Sequence, residues 1–342
     1  MIGIGVIGSG SWGPNLVRNF AETPGSHVVA VSDLSPDRLA RVAQRYHGVT
    51  TSTDAQSLIT NPAVDAVVIA TPVATHFPLA MQALAAGKHV WVEKPLAGSS
   101  DEARQLRDEA ARRRRVRMVD HTFVYTGAVQ KIGELVRGGT LGDLYYYDSV
   151  RVNLGLFQSD VDVMWDLAVH DLAIMDYVLD ARPNAVSAIG STHVPGRTAN
   201  QAYLTCLFDG NLIAHFHVNW LAPVKVRRTL IGGDTQMIVF DDLEPSEKVR
   251  VYDKGITVDP GLEGRHEILV SYRTGDMWAP RLDATEALAS AARDFVDSIN
   301  TGREPVTHSR VGLRVVQILE AATQSMQQQG QLVELDLSEA DA

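Results

Sequence analysis

The stretch IGIGVIGSGSWGPNLVRNFAETPGSHVVAVSD, residues 2–33, decides the fold. Ile2–Ile7 is a short apolar run rich in β-branched residues, which reads as a buried strand. It passes directly into Gly8, Gly10 and Gly13, spaced G-x-G-x-x-G, and then into a helical pattern with Trp12, Leu16, Val17 and Phe20 on one face. A second apolar run, His27–Val31, ends at Asp33, 20 residues after Gly13. In this setting the first glycine permits the tight turn, the second lets backbone approach a pyrophosphate, and the third lets helix and strand pack closely. The helix start then presents N–H groups to phosphate charge. Asp33 is placed to accept from ribose hydroxyls and to repel a 2′-phosphate, so the expected cofactor is NAD rather than NADP.

Working outward, strands and helices alternate. Ser35 and Pro36 open a second helix that Gly48 closes, and a short helix is expected at 54–59. VDAVVIA (64–70) is a buried strand, followed by a helix over 77–86 with Gly87 past its end. Strand 88–92 precedes a helix to about Arg114, with Ser99 and Glu102 as its capping box. A strand at 116–119 completes the pattern. Such alternation predicts a doubly wound parallel sheet, a Rossmann domain over residues 1–121.

The grammar then changes. Helices are expected at 127–137 and 163–179, with a strand over 144–152 between them. From Ala185 to about Ser271 the pattern is mostly strands and turns, as in an antiparallel sheet. Two helices follow, and the tail 338–342 reads as frayed. The overall expectation is an α/β protein whose second domain, 122–342, carries a large, mostly antiparallel open sheet. A leftover apolar sheet face would be covered by another subunit. The expected assembly is therefore a homodimer or homotetramer through that sheet.

With 342 residues the chain suggests about two domains. A net charge of −10 argues against general affinity for nucleic acid or an anionic membrane. The one basic run, Arg112–Arg115, reads as a solvated helix end. A single cysteine, Cys206, excludes an intrachain disulfide and suits a reducing compartment. The glycine motif starts too early for a preceding signal peptide, and no apolar run is long enough to span a bilayer. The expected location is the cytoplasm.

Chemistry-bearing residues recur at the carboxyl edge of the first sheet, where open α/β sheets bind ligands. Thr71-Pro72 ends one strand, with His76 following, and Glu93-Lys94-Pro95 ends the next. An ammonium near a nicotinamide can stabilise alkoxide character as hydride leaves. Asp166 and His170 are four apart on a helix, with Leu167, Ile174 and Val178 on another face. The pair reads as an oriented acid/base imidazole, as a satisfied helix-start pair, or as two ligands of a metal needing a third. No closed ligand set is visible, so no metal is expected, and His215 and His217 read as ordinary strand residues. Arg151 and Asn153 alternate with Val152, so both face either polar substrate or solvent.

Together G-S-G-S-W-G, V-V-I-A-T-P, H-V-W-V-E-K-P-L and D-L-A-V-H-D resemble the Gfo/Idh/MocA oxidoreductases, as do F-V-D-S-I-N-T-G-R-E-P-V and I-L-E-A-A near the end. The resemblance implies a Rossmann domain followed by an open-sheet α/β domain. It implies that Gly8, Gly10, Ser11, Trp12, Gly13, Asp33, Thr71, Pro72, His76, Glu93 and Lys94 line the NAD side. It implies that Lys94 also contacts substrate and that His170 is the acid/base beside Asp166. Many members carry an arginine-containing segment after the sixth strand. Here it reads DHTFVYTGAV, leaving Thr122 and Tyr125 as the expected substrate contacts with Arg151, Asn153, Lys94, Asp166 and His170.

The subset linked to nucleotide sugars looks most alike. It implies hydride transfer at a ring carbon, often C3, of a nucleotide-linked sugar. The alternatives are inositol or a free monosaccharide as substrate, or NAD-assisted glycoside cleavage. A further alternative is a non-enzymatic NAD-responsive regulatory protein.

Overall fold

A computed structural model describes residues 1–155, 161–194, 198–253, 255–258 and 270–341. The chain forms two compact units, Met1–Thr126 with Thr285–Glu320 and Ser338–Ala342, and Gly127–Ala284 with Ala321–Leu337. The linear division at 121/122 is thereby corrected, because the chain returns to its first unit after the second.

The first unit opens with β1 (Ile2–Ile7), α1 (Gly13–Glu22), β2 (Ser26–Ser32), α2 (Pro36–Arg45), β3 (Thr50–Ser52) and α3 (Ala55–Ile59). It continues with β4 (Ala66–Ile69), α4 (His76–Ala85), β5 (His89–Glu93), α5 (Ser100–Arg113) and β6 (Arg117–Asp120). The strands make one parallel sheet in the order β3-β2-β1-β4-β5-β6. Buried β-branched residues such as Val6, Val67, Val68, Val90 and Val92 fill it, as expected for a sheet covered on both faces. The order reverses between β1 and β4, so the strand ends around Ile7 and Ile69 flank the crevice where such sheets bind ligands.

Ser99 caps α5 through its hydroxyl, which accepts the Glu102 N–H at 3.2 Å. The Glu102 carboxylate returns to the Gly98 N–H at 3.1 Å rather than to that of Ser99.

The second unit runs through α6 (Gly127–Arg137), β7 (Leu144–Leu154), α7 (Val169–Val178), β8 (Pro183–Ser191), β9 (Gln201–Phe208) and β10 (Ile213–Asn219). Then come β11 (Leu221–Gly233), β12 (Met237–Asp241), β13 (Val249–Tyr252), the antiparallel pair β14 (Gly255–Val258) and β15 (Val270–Arg273), and β16 (Met277–Trp278). The large sheet is mixed, ordered β16-β13-β12-β11-β7-β10-β9-β8, and only β7 and β10 pair in parallel. One face buries Tyr147, Leu204, Cys206 and Phe216. The other exposes Ile189, Tyr203 and Ile213, with the Tyr203 ring stacked 4.5 Å from that of His217.

Four elements close the chain: α8 (Ala287–Thr301), α9 (Ser309–Gln327), β17 (Val333–Glu334), which pairs with β8, and α10 (Ser338–Asp341). Phe295 of α8 joins Phe20 and Trp91 in an edge-to-face cluster, with ring centroids 5.4–6.2 Å apart. Each such pair contributes about 0.5–1.5 kcal/mol beyond its area burial, which ties α8 to the first unit. The tail is not frayed over residues 338–341: Ala340 is fully buried, and Glu339 accepts from Arg104 at 3.1 Å and from Arg107. Ala342 lies outside the described residues.

Candidate active site

The glycine-rich turn is shaped by sterics. Gly8 has φ +95°, and a Cβ there would lie 2.4 Å from the Ala70 carbonyl oxygen. A Cβ on Gly13 would lie 2.1 Å from the Gly8 carbonyl oxygen. Gly10 differs, because its nearest neighbour would be Arg38 at 3.8 Å. The bare backbone there stands open, as close approach of a pyrophosphate requires. Beside it lies a cavity of about 270 Å³ lined by Ser9, Gly10, Pro14, Arg38, Arg45 and Tyr46. The residues present thus fit a dinucleotide.

Asp33 follows β2 and is buried. Its carboxylate accepts the Ser9 N–H at 2.6 Å and the Ser35 N–H at 2.8 Å, with Arg38 at 3.5 Å. It therefore braces the glycine turn itself, while a carboxylate's roughly four acceptor positions leave capacity for a ribose hydroxyl. Ser11 is exposed. Trp12 is corrected: it is 40% exposed and stands at the N-cap of α1, off the buried face of Leu16, Val17 and Phe20. Its indole N–H donates to Asp120 at 3.0 Å.

The Thr71-Pro72 turn continues into α4. The Thr75 hydroxyl donates to that of Thr71 at 2.7 Å. His76, expected on the cofactor side, braces the two turns at the sheet edge. It is 1% exposed, with Nδ1 2.8 Å from the Pro95 carbonyl oxygen and Nε2 2.8 Å from that of Thr71. The imidazole so links the two turns at the sheet edge. Burial, opposed by these carbonyls, holds its pKa below the ordinary value, and the Lys94 charge adds to the depression.

Lys94 follows β5, and its peptide bond to Pro95 is cis. Its neighbours include two residues missed in the sequence, Asp120 and His121. Glu93 stands opposite Asp120 in the parallel register, and the two carboxyl groups are hydrogen-bonded. Burial first, then the Asp120 charge, raises the Glu93 pKa well above the usual carboxylate range. Asp120 also accepts from Trp12 and from the Thr122 hydroxyl. His121 is buried, with neither ring nitrogen hydrogen-bonded among the described residues, and burial and then Lys94 push its pKa down to about 3. A polar pair directly after a buried strand, at the edge already carrying Glu93-Lys94, was the available signal.

In the second unit Asp166 lies in one wide π turn, Met164–Ala168, rather than in a uniform helix, and His170 stands in the first turn of α7. Such turns are rare and occur frequently at functional sites. The Asp162 carboxylate starts the segment by accepting the Met164 and Trp165 N–H groups at 2.8 and 3.1 Å. The buried Trp220 indole donates to Asp166 at 3.1 Å. Every α7 residue is buried except His170 and Tyr177, which are half-buried.

Two of the expected substrate contacts have their polar groups hydrogen-bonded within the protein. Arg151 is 4% exposed and forks onto Asp171 through Nε and Nη2, both at 2.8 Å. Tyr125 is buried, and its hydroxyl donates to Asp294 at 2.6 Å. Both had polar atoms to offer a ligand, and both are used internally. Asn153 and Thr122 are half-buried. Among the described residues no group of three or more His, Cys, Asp or Glu is placed to hold a metal, and no helix is long and apolar enough to cross a membrane.

These features define a nicotinamide-dinucleotide oxidoreductase. Residues 2–121 match the model of the oxidoreductase family with the NAD-binding Rossmann fold, and residues 129–239 match the GFO/IDH/MocA C-terminal domain. The chain belongs to the Gfo/Idh/MocA family and is an NAD-dependent enzyme. It is 28% identical to a UDP-N-acetylglucosamine 3-dehydrogenase of Acidithiobacillus ferrooxidans, over 91% of this chain and 93% of that one. A solved structure of the enzyme of that name from this organism superposes with a TM-score of 0.79 at 27% identity, covering 96% of this chain and 100% of that one. An inositol 2-dehydrogenase of Gluconacetobacter diazotrophicus is 32% identical, over 52% of this chain and 55% of that one.

Proposed function

We propose that the protein oxidises a secondary alcohol of a nucleotide-linked sugar, at ring position 3, or reduces the corresponding ketone. The observation that carries this reading is the near full-length similarity to the UDP-N-acetylglucosamine 3-dehydrogenase, which extends through the second unit. Bound NAD supplies the hydride acceptor. His170 takes the hydroxyl proton, and Asp166, held by Trp220, orients it. Lys94 donates to the substrate oxygen and stabilises the charge that develops there.

The test is a panel of UDP- and dTDP-linked sugars, the corresponding free sugars and myo-inositol, followed by nicotinamide absorbance with product analysis at each ring carbon. Turnover of a nucleotide-linked sugar at C3 is expected. Higher kcat/KM for free sugars or inositol would refute the substrate class in favour of a second reading, which the inositol 2-dehydrogenase similarity supports over about half the chain.

The open sheet face around Ile189, Tyr203 and Ile213 is taken as the surface of a homodimer or homotetramer. Light scattering on the purified protein and on Tyr203→Glu tests it. A monomeric parent, or an unchanged mass in the variant, would refute it.

A further inference from the structure

The basic run Arg112–Arg115 divides in the structure. Arg112 and Arg113 meet Glu109 at 2.7 and 2.6 Å and behave as a solvated helix end. Arg114 and Arg115 instead border a cavity of about 790 Å³ within the first unit. That volume falls in the range of small-molecule sites, about 300–1,000 Å³. The cavity lies where β5 and β6 begin, at His89 and Arg117, opposite the strand ends that carry Lys94 and Asp120.

Its lining holds six arginines against two carboxylates, Asp108 and Glu304. Arg107, Arg303 and Arg310 are partnered by Asp108, Asp294 and Glu304. Arg117 is not. It is 4% exposed, and its Nε and Nη1 are buried without any hydrogen-bond partner among the described residues. Burial lowers its pKa to about 9, which still leaves it protonated near neutral pH. A buried, unpaired guanidinium is costly unless something anionic completes it. Ser309 and Arg310 begin α9, so a long helix also turns its N-terminal end toward the cavity.

We propose that this cavity binds a small polyanion of the diphosphate class at a site separate from the dinucleotide turn. Arg117 takes one anionic group by a bidentate fork, and the exposed Arg114 and Arg115 take a second. On this assignment a single phosphate engages one of these sets, and a diphosphate both. The site does not depend on the substrate assigned above.

The test is calorimetric titration of the NAD-saturated enzyme with pyrophosphate, then inorganic phosphate, citrate and chloride at matched ionic strength. NAD saturation keeps the probe off the glycine turn. Pyrophosphate is expected to bind saturably and more tightly than phosphate or citrate. Arg117→Met should weaken it by about tenfold or more, from the loss of charged hydrogen bonds. Pyrophosphate should also raise the melting temperature of the parent but not of Arg117→Met. Arg115→Ala removes only an exposed side chain, so it carries the comparison if Arg117→Met does not fold. No saturable binding, citrate equal to pyrophosphate, or unchanged affinity in the folded variants would overturn the proposal.

Discussion

Replacing Arg151 by methionine separates two readings of that residue. Alternation on β7 leaves it facing either substrate or solvent, whereas the structure closes it onto Asp171. The two bonds are 2.8 Å each, and the side chains are 4% and 5% exposed. Methionine approximates the aliphatic stem but leaves the Asp171 carboxylate buried without its partner. Breaking a buried pair in this way costs about 3–5 kcal/mol. For a unit of this size that lowers the melting temperature by roughly 6–20 °C. Replacing both residues, Arg151→Met with Asp171→Leu, removes the stranded charge and should recover most of the loss. The assay is urea and thermal unfolding of the parent, both single variants and the double variant, with KM measured for each folded form. Asp171 directly follows His170, so kcat should fall with stability as α7 loosens. A stable Arg151→Met enzyme with a raised substrate KM would refute the structural reading and restore the substrate contact.

Lys94→Ala should lower kcat by about 10²–10³-fold, as for loss of one oxyanion donor, with NAD affinity nearly unchanged by fluorescence titration. Lost NAD binding with normal residual chemistry would contradict the assigned role. Asp33→Ser should shift the NAD/NADP ratio of kcat/KM toward NADP, because it removes the repelling carboxylate and frees Arg38, now 3.5 Å from it. An unchanged ratio would sink that assignment. His121 titrates at about 3 when folded, against 6.5 as its ordinary value. Between these values the unfolded chain binds the extra proton, so stability is lost as pH falls from about 6.5 toward 3. The slope is about 1.4 kcal/mol per pH unit. His121→Gln should flatten it in urea midpoints, and an equally steep slope in the variant would refute the burial argument.

The first sheet was legible because parallel strands covered on both faces are written as unbroken apolar runs, and because their helices carry explicit caps at Ser99 and Gly87. The return of α8 was not legible. Its apolar face, with Phe295, fits any sheet, and only the rings of Phe20 and Trp91 say which one. Strand alternation misled at Arg151 for a related reason. Period-two pattern separates the faces of a strand, but it cannot tell a polar residue facing ligand from one facing a carboxylate 20 residues downstream. Tyr125 repeats the lesson with Asp294, 169 residues away. The π turn at Met164–Ala168 was hidden because its residues keep the apolar spacing of an ordinary helix.

The two ends of β5 and β6 explain why chemistry is hard to read at strand termini. At one end stand Glu93, Lys94, Asp120 and His121, and at the other His89 and Arg117. β5 has five residues, so the ends are about 13 Å apart. In sequence, both sets look like polar punctuation where a strand leaves the core. Arg112 and Arg117 lie in the same basic stretch, yet one sits on a helix facing Glu109 and the other is the first residue of a buried strand. The change from helical to strand period between them turns one arginine to solvent and seals the other inside. Burial without a partner is the physical mark that His121 and Arg117 share, and it distinguishes them from the paired charges around them. Such burial costs free energy that a bound group can offset, at the Lys94 edge of the sheet for His121 and at the opposite cavity for Arg117.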